Sequence, residues 1–205
     1  IKNPSETFDT NVNGTKNVLH ACKEHKIKKI IVASSAAVYG ESEPKIKLTE
    51  KSEMNPISPY GESKVMMEKE INKNVKKYNV NYVILRFFNI YGLGQSSEYA
   101  GVITKFIKKI EANKPLEIFG DGMQTRDFVS INNVVESIYD AIKNGKNGTY
   151  NIASGKAITI NELAEFMISL SRKDLEIHHI SEKHGDIRYS EADISLAKSE
   201  IKYVP

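Results

Sequence analysis

Apolar and small residues recur at helical spacing through residues 7–25, where Val12, Thr15, Val18, Leu19 and Cys22 share one face. The period then changes. Residues 28–35, KKIIVASS, form a short β-branched run without alternation, the pattern of a strand covered on both faces of a parallel sheet. A loop follows, with Pro44, Pro56 and Pro59 as breakers. The spacing predicts a second helix over 60–78, where Val65, Met66, Glu68 and Ile71 come after a tyrosine. VNYVILRFF at 80–88 repeats the buried-strand pattern. Strand, helix and strand in succession predict a parallel α/β architecture.

Beyond NIYGLG at 89–94 the pattern shifts to smaller units. An amphipathic helix is predicted over 101–113, then a strand, a glycine turn and a second strand over 116–131. A helix with Asn at its N-cap follows over 132–144, a strand over 149–154, and a helix over 159–171 whose Thr159 and Glu162 match a capping box. LEIHHI at 175–180 reads as a last strand. No segment repeats and none is of low complexity.

A chain of 205 residues can bury a core in one or two domains. The net charge of +3 arises from lysines interleaved with acids, as in KEHKIKK (23–29) and KNVKKY (73–78), which read as solvated helix faces or strand entries. No aromatic-studded basic stripe is present, so nucleic acid is not expected as a partner. No apolar run is long enough to span a bilayer and no signal peptide is found, so neither a membrane nor glycosylation at Asn13 or Asn147 is expected. A single cysteine, Cys22, excludes an intramolecular disulfide framework and fits a reducing cytoplasm. The abrupt start at IKNPSETFDTNV and the end at KYVP read as cuts through a longer protein.

Candidate chemistry collects around Ser35, Tyr60, Lys64 and Asn89. A tyrosine and a lysine four residues apart share one helix face. A free phenol, with a pKa near ~10, is a poor base at neutral pH. A neighbouring ammonium favours the phenolate, so Lys64 would make Tyr60 a proton acceptor for an alcohol that is losing hydride. Ser35, at the end of its strand, would hydrogen-bond the reacting oxygen. Y-x-x-x-K alone occurs by chance in many helices. Here it stands between two buried strands, after one ending in Ser-Ser and before Arg-Phe-Phe-Asn.

The stretches NVNGTKNVLHA, IIVASSAAVYG, SPYGESK, LRFFNIYG, GDGMQTRDFVSINNV and GDIRYSEADISLAK cover nearly the whole chain. Together they resemble the extended short-chain dehydrogenase/reductase family, specifically its NAD-dependent nucleotide-sugar epimerases of the UDP-glucose 4-epimerase kind. The resemblance implies an α/β fold: a partial Rossmann-like parallel sheet with helices on both faces, plus a smaller α/β substrate domain. Residues 1–91 would be the carboxyl-terminal part of the NAD-binding domain, and 92–205 mainly the substrate domain, with elements returning to the first. It further implies C4 epimerisation of a UDP-hexose and a homodimer through the helices around 11–25 and 60–78. Alternatives are another nucleotide-sugar reductase or epimerase of the family, or a noncatalytic nucleotide-binding relative, which would be expected to lack Tyr60 or Lys64.

By resemblance, Tyr60 is the acid/base, Lys64 activates it and holds the nicotinamide ribose, and Ser35 assists at the sugar. Asn11, Ser34 and Phe88 would contact or support NAD. Asn89, Val102, Arg126, Lys183, Asp186 and Ser190 would contact the nucleotide sugar. For Arg126 the competing expectation is a surface ion pair with Asp127. His178, His179 and His184 lack acidic or cysteine partners at ligand spacing, and no metal is expected.

Four departures from the family pattern bear on the reaction. Dehydrating relatives carry an acidic pair after the serine or threonine, where this chain has Ala36 and Ala37; the glutamate of decarboxylating relatives is also absent. KHGD at 183–186 replaces Arg-x-Gly-Asp, keeping charge but losing the planar fork. Ser190 replaces a tyrosine that crowds the sugar's 2-substituent in glucose-restricted enzymes, which implies room for an N-acetyl group. Finally, no Gly-x-x-Gly-x-x-Gly loop precedes these motifs, so these residues alone are expected to bind NAD weakly or not at all and to leave a sheet edge exposed.

Overall fold

A computed structural model describes residues 3–95, 101–182 and 185–205. In chain order the elements are α1 (Pro4–Phe8), a π-helical turn (Asp9–Asn13), α2 (Gly14–Glu24), β1 (Lys29–Ser35), a 3-10 turn (Ala36–Val38), α3 (Pro59–Tyr78), β2 (Asn81–Phe87) and β3 (Asn89–Tyr91). There follow α4 (Val102–Glu111), β4 (Leu116–Phe119), β5 (Thr125–Ser130), α5 (Ile131–Asn144), β6 (Gly148–Ile152), β7 (Ala157–Thr159), α6 (Ile160–Ser171), β8 (Ile177–Ile180) and α7 (Ser195–Glu200).

The largest sheet is parallel, in the order β1-β2-β6, and has helices on both faces. Alternation along β2 sorts its side chains. Tyr82 and Ile84 pack with Leu19 of α2 and Met67, Ile71 and Val75 of α3. Val83, Leu85 and Phe87 pack on the opposite side with Val134 and Ala141 of α5. A strand covered on both faces needs apolar residues at nearly every position, as VNYVILRFF has. Lys29 enters β1, as the strand-entry reading expected, and donates from Nζ to the carbonyls of Ala141, Ile142 and Gly145, capping the end of α5. Among the described residues no strand pairs with the outer edge of β1.

Helix boundaries differ from the sequence reading where capping chemistry decides. The first helical segment begins at Pro4, with Asn3 accepting from the Glu6 N–H, and passes through the π turn before α2. Pro59 does not break the chain into loop. It occupies the first position of α3, behind the Ser58 cap, because an N-terminal residue has no intrahelical use for its missing N–H. α5 is capped by Ser130 rather than by Asn. The Thr159–Glu162 capping box is made in both directions.

β3 starts one residue beyond β2 but pairs with β5 in a second sheet, so the chain changes sheets at Asn89. β5 also pairs antiparallel with β7, while β4 and β8 form a separate parallel pair. Phe106, Leu116, Ile118, Ile160, Leu163 and Ala164 make a core beneath these smaller sheets. The C-terminal residues Ala192, Ile194, Ala197, Ile201 and Tyr203 return to the first core, and the Tyr203 hydroxyl donates to the Ala153 carbonyl at 2.8 Å. No described helix is long and apolar enough to cross a membrane.

Candidate active site

The first turn of α3 sits directly on the turn that follows Ser35. A Cβ on Gly61 would overlap the Ala37 carbonyl oxygen and Pro56, so only glycine lets the two segments close. Gly61→Ala is therefore expected to destabilise the fold by about 1–3 kcal/mol, read by urea denaturation. A cost near zero would show that the two segments are free to separate.

This close approach places the Tyr60–Lys64 pair beside Ser35. Tyr60 is 37 % exposed. The Lys64 Nζ lies 5.8 Å from the Tyr60 ring centroid and donates to the Ala33 carbonyl at 3.0 Å. Burial pushes the Lys64 ammonium below its ordinary pKa, and the Glu68 charge pushes it back up. The Ser35 Oγ accepts from the Ala37 N–H at 3.2 Å, which leaves its own proton for another acceptor. Ser35 pairs in register with Phe87, so Asn89 lies two residues beyond the strand position next to Ser35. Ser35 ends β1 and Asn89 follows the end of β2, so both lie at the carboxyl ends of parallel strands, where open α/β sheets bind ligands.

Three residues expected at the cofactor make contacts within the chain. The Asn11 amide donates to the Ser63 Oγ at 2.8 Å, and Ser63 donates to the Tyr60 carbonyl at 2.7 Å, so Asn11 braces the start of α3. Ser34 is 3 % exposed and gives its hydroxyl to Glu68 at 2.5 Å; the cofactor contact expected of it does not fall to its side chain. Phe88 is buried, with its ring tilted against Tyr39 at 6.3 Å between centroids.

Sequence reading missed a polar network behind the pair. The Arg86 Nε and Nη2 donate to both oxygens of Glu68, at 3.0 and 2.7 Å. Its Nη1 donates to the Tyr39 hydroxyl at 2.9 Å, which donates onward to the Asn151 Oδ1 at 2.6 Å. Burial pushes the Tyr39 phenol up to about 12. Burial also opposes charge on Arg86, but the hydrogen bonds to Glu68 and Tyr39 outweigh it and hold the guanidinium charged. The available signal was Glu68 one helical turn after Lys64, with Arg86 two residues before Phe88.

A cavity of about 380 Å³ opens beyond Asn89 and brings together Asn89, Val102, Arg126 and Asp186, with Phe106 and Phe128 among its apolar walls. Arg126 pairs with Asp186 at 2.6 Å and donates to the Thr125 carbonyl at 2.8 Å. The competing expectation of an Arg126–Asp127 pair is overturned. Successive strand residues point to opposite faces, and the Asp127 carboxylate is buried, accepting from Ser154, Gly155 and Ala192. Asp127 thereby ties β5 to two other segments, while its carbonyl accepts from Asn89 at 3.1 Å. Gln124 is a further lining residue that sequence reading passed over. Its Nε2 donates to the Phe119 carbonyl at 2.9 Å and its buried Oε1 has no partner among the described residues.

Ser190 does not join this cavity. It is 6 % exposed, and its N–H donates to the Thr125 Oγ1 at 3.3 Å. His178 pairs with Glu176 at 2.8 Å and His179 contacts Asn161 at 3.0 Å. Lys183 and His184 lie outside the described residues.

Comparison with known proteins adds kinship to this geometry. A profile of the NAD dependent epimerase/dehydratase family matches residues 1–153. A putative UDP-glucose 4-epimerase of Methanocaldococcus jannaschii is 42% identical over 169 residues, covering 82% of this chain and 55% of that protein. The structure of a UDP-N-acetylglucosamine 4-epimerase from Methanobrevibacter ruminantium, in complex with UDP-N-acetylmuramic acid, superposes with a TM-score of 0.91 at 37% identity, covering 96% of this chain and 64% of that one. That of a UDP-glucose 4-epimerase from Thermotoga maritima with UDP-glucose reaches 0.95 at 30% identity, covering 100% and 67%. The chain thus spans between 55% and 67% of the length of these relatives.

Proposed function

Because the chain belongs to the NAD dependent epimerase/dehydratase family, we propose that it carries the acid/base site and the nucleotide-sugar cavity of a UDP-hexose 4-epimerase. The observation that carries this reading is the Tyr60–Lys64 pair, open at the carboxyl ends of β1 and β2 and backed by Ser35. The residues after Ser35 are Ala36 and Ala37, which offer no acid for eliminating water from the sugar.

The family is NAD dependent. An exposed phenol and an ammonium fixed on a strand carbonyl fit the nicotinamide-ribose end of that cofactor. When bound, NAD supplies the hydride acceptor. The Tyr60 oxygen takes the proton of the sugar 4-hydroxyl, with the Lys64 ammonium 5.8 Å from its ring. Ser35, its oxygen already accepting from Ala37, directs its proton to the sugar oxygen and keeps it aligned. Tyr60 returns the proton after the 4-keto sugar has turned its other face. In the natural protein that carries this chain, UDP-glucose and UDP-galactose are expected to interconvert. Formation of a dehydrated keto sugar instead would overturn the reading.

Arg126 is proposed to grip the diphosphate from the cavity wall, and Asp186 the nucleotide ribose. Among the described residues two of the five guanidinium donors are engaged, by Thr125 and Asp186, which leaves donors for anionic oxygens. Arg126→Ala is expected to weaken UDP binding by roughly 10- to 100-fold, the worth of one charge-assisted hydrogen bond. Arg126→Lys should recover part of the loss, since it restores charge without the fork. Calorimetric titration with UDP checks both; an unchanged Kd for Arg126→Ala would remove the residue from the site.

We read residues 1–91 as nucleotide-binding and 92–205 as mainly substrate-binding, with α5, β6 and the C-terminal segment returning to the first core. A homodimer through α2 and α3, which expose Val18 and Met66, completes the proposal. A monomer by light scattering would count against it.

A further inference from the structure

Lys64 is half-buried, with no carboxylate in direct contact among the described residues. Its nitrogen reaches the Ala33 carbonyl at 3.0 Å and the Met67 sulfur at 3.9 Å. Its own helix presents Tyr60 on one side and Glu68 one turn on. Behind Glu68 stand Arg86 of β2 and Ser34 of β1, and behind Arg86 stand Tyr39 and the Glu50 carbonyl. The Glu68–Arg86 pair is almost wholly buried, with side chains 2% and 5% exposed. A buried pair of this kind is weak evidence for stability, since apolar residues of similar volume often serve as well. Its position suggests another use. Glu68 receives a hydrogen bond from the residue before Ser35, sits one turn after Lys64, and grips a residue three before Asn89.

We propose that Glu68 is a positioning residue: it locks the helix of Tyr60 and Lys64 to the two strands that carry Ser35 and lead to Asn89, and its carboxylate keeps Lys64 in the ammonium form. Burial alone drives a lysine towards neutrality. Arg86 donates to both Glu68 oxygens and fixes the carboxylate one helical turn from Lys64. The catalytic consequence rests on the proposed roles of Tyr60 and Lys64; the charge state of Lys64 does not.

The test follows the Lys64 side-chain resonance against pH by NMR, assigned by its loss in Lys64→Arg. In Glu68→Gln, which keeps shape and removes charge, the Lys64 midpoint is expected to move to lower pH. The double variant Glu68→Gln/Arg86→Gln buries neither charge alone and is expected to move it the same way, so it carries the test if the single variant unfolds. Tyr39→Phe loosens Arg86 without altering the charge on Glu68, and should leave the midpoint in place. If the midpoint stays put without Glu68, moves as far in Tyr39→Phe, or cannot be read because both Glu68 variants fail to fold, Glu68 is only a structural residue and the proposal is overturned. In the natural protein the alkaline limb of kcat should move to lower pH in Glu68→Gln. An unmoved limb beside a moved Lys64 midpoint would count against the acid/base reading alone.

Discussion

Tyr60→Phe is expected to lower kcat for UDP-hexose interconversion by roughly 10²- to 10⁴-fold, the usual worth of a positioned acid/base group. The substitution deletes one oxygen from a side chain that is 37 % exposed and whose hydroxyl makes none of the described hydrogen bonds. The thermal transition should therefore stay where it is, and the KM for the nucleotide sugar should change little, because the lost interaction belongs to the transition state. Lys64→Met should act in the same direction by removing the neighbouring charge. A Tyr60→Phe protein with activity within a few-fold of the parent would move the proton transfer to another group.

Arg86→Met should be the most damaging single change to stability. It leaves the Glu68 carboxylate buried without its bidentate partner and deprives Tyr39 of a donor. Breaking a buried pair from one side costs about 3–5 kcal/mol, a large part of a domain's whole stability. Glu68→Leu combined with Arg86→Met should be clearly less destabilising than Arg86→Met alone, because no charge then remains buried by itself. Urea unfolding of the two variants measures the difference. A cost below about 1 kcal/mol for Arg86→Met would mean that water reaches the pair.

Much of the architecture was legible because local rules produced it. The apolar runs at 28–35 and 80–88 both became strands of the parallel sheet, but only β2 is central and largely buried; β1 stands at the edge and is partly covered. The Thr159–Glu162 box needs only a spacing of three residues, and it formed as read. Tyr60 and Lys64 share a face by helical geometry alone. Where a cap could be chosen from several polar residues, as at Ser130, one-dimensional pattern did not discriminate. The short helix α7 escaped notice because six residues hold too little of a period to register.

The site was legible in its chemistry and not in its partnerships. Arg126 was visible as a phosphate-type arginine, but its partner Asp186 lies 60 residues away, while the adjacent Asp127 faces into the interior. Ser34 and Ser35 look equivalent in sequence, yet the first is buried on Glu68 and the second caps a turn beside Tyr60. Ser190 was assigned to the sugar by correspondence of position, and its 6 % exposure could not be read from the sequence. By itself, then, the sequence determined most of the strands and helices and put Tyr60 and Lys64 on one helix face, because periodicity, capping and helix geometry act within a few residues. Only the tertiary structure decided which hydroxyl faces the site, which carboxylate meets which cation, and that Glu68 and Arg86 stand behind Lys64. Those outcomes depend on which faces of distant segments are pressed together, and desolvation then leaves each buried polar group with whatever partner that packing supplies.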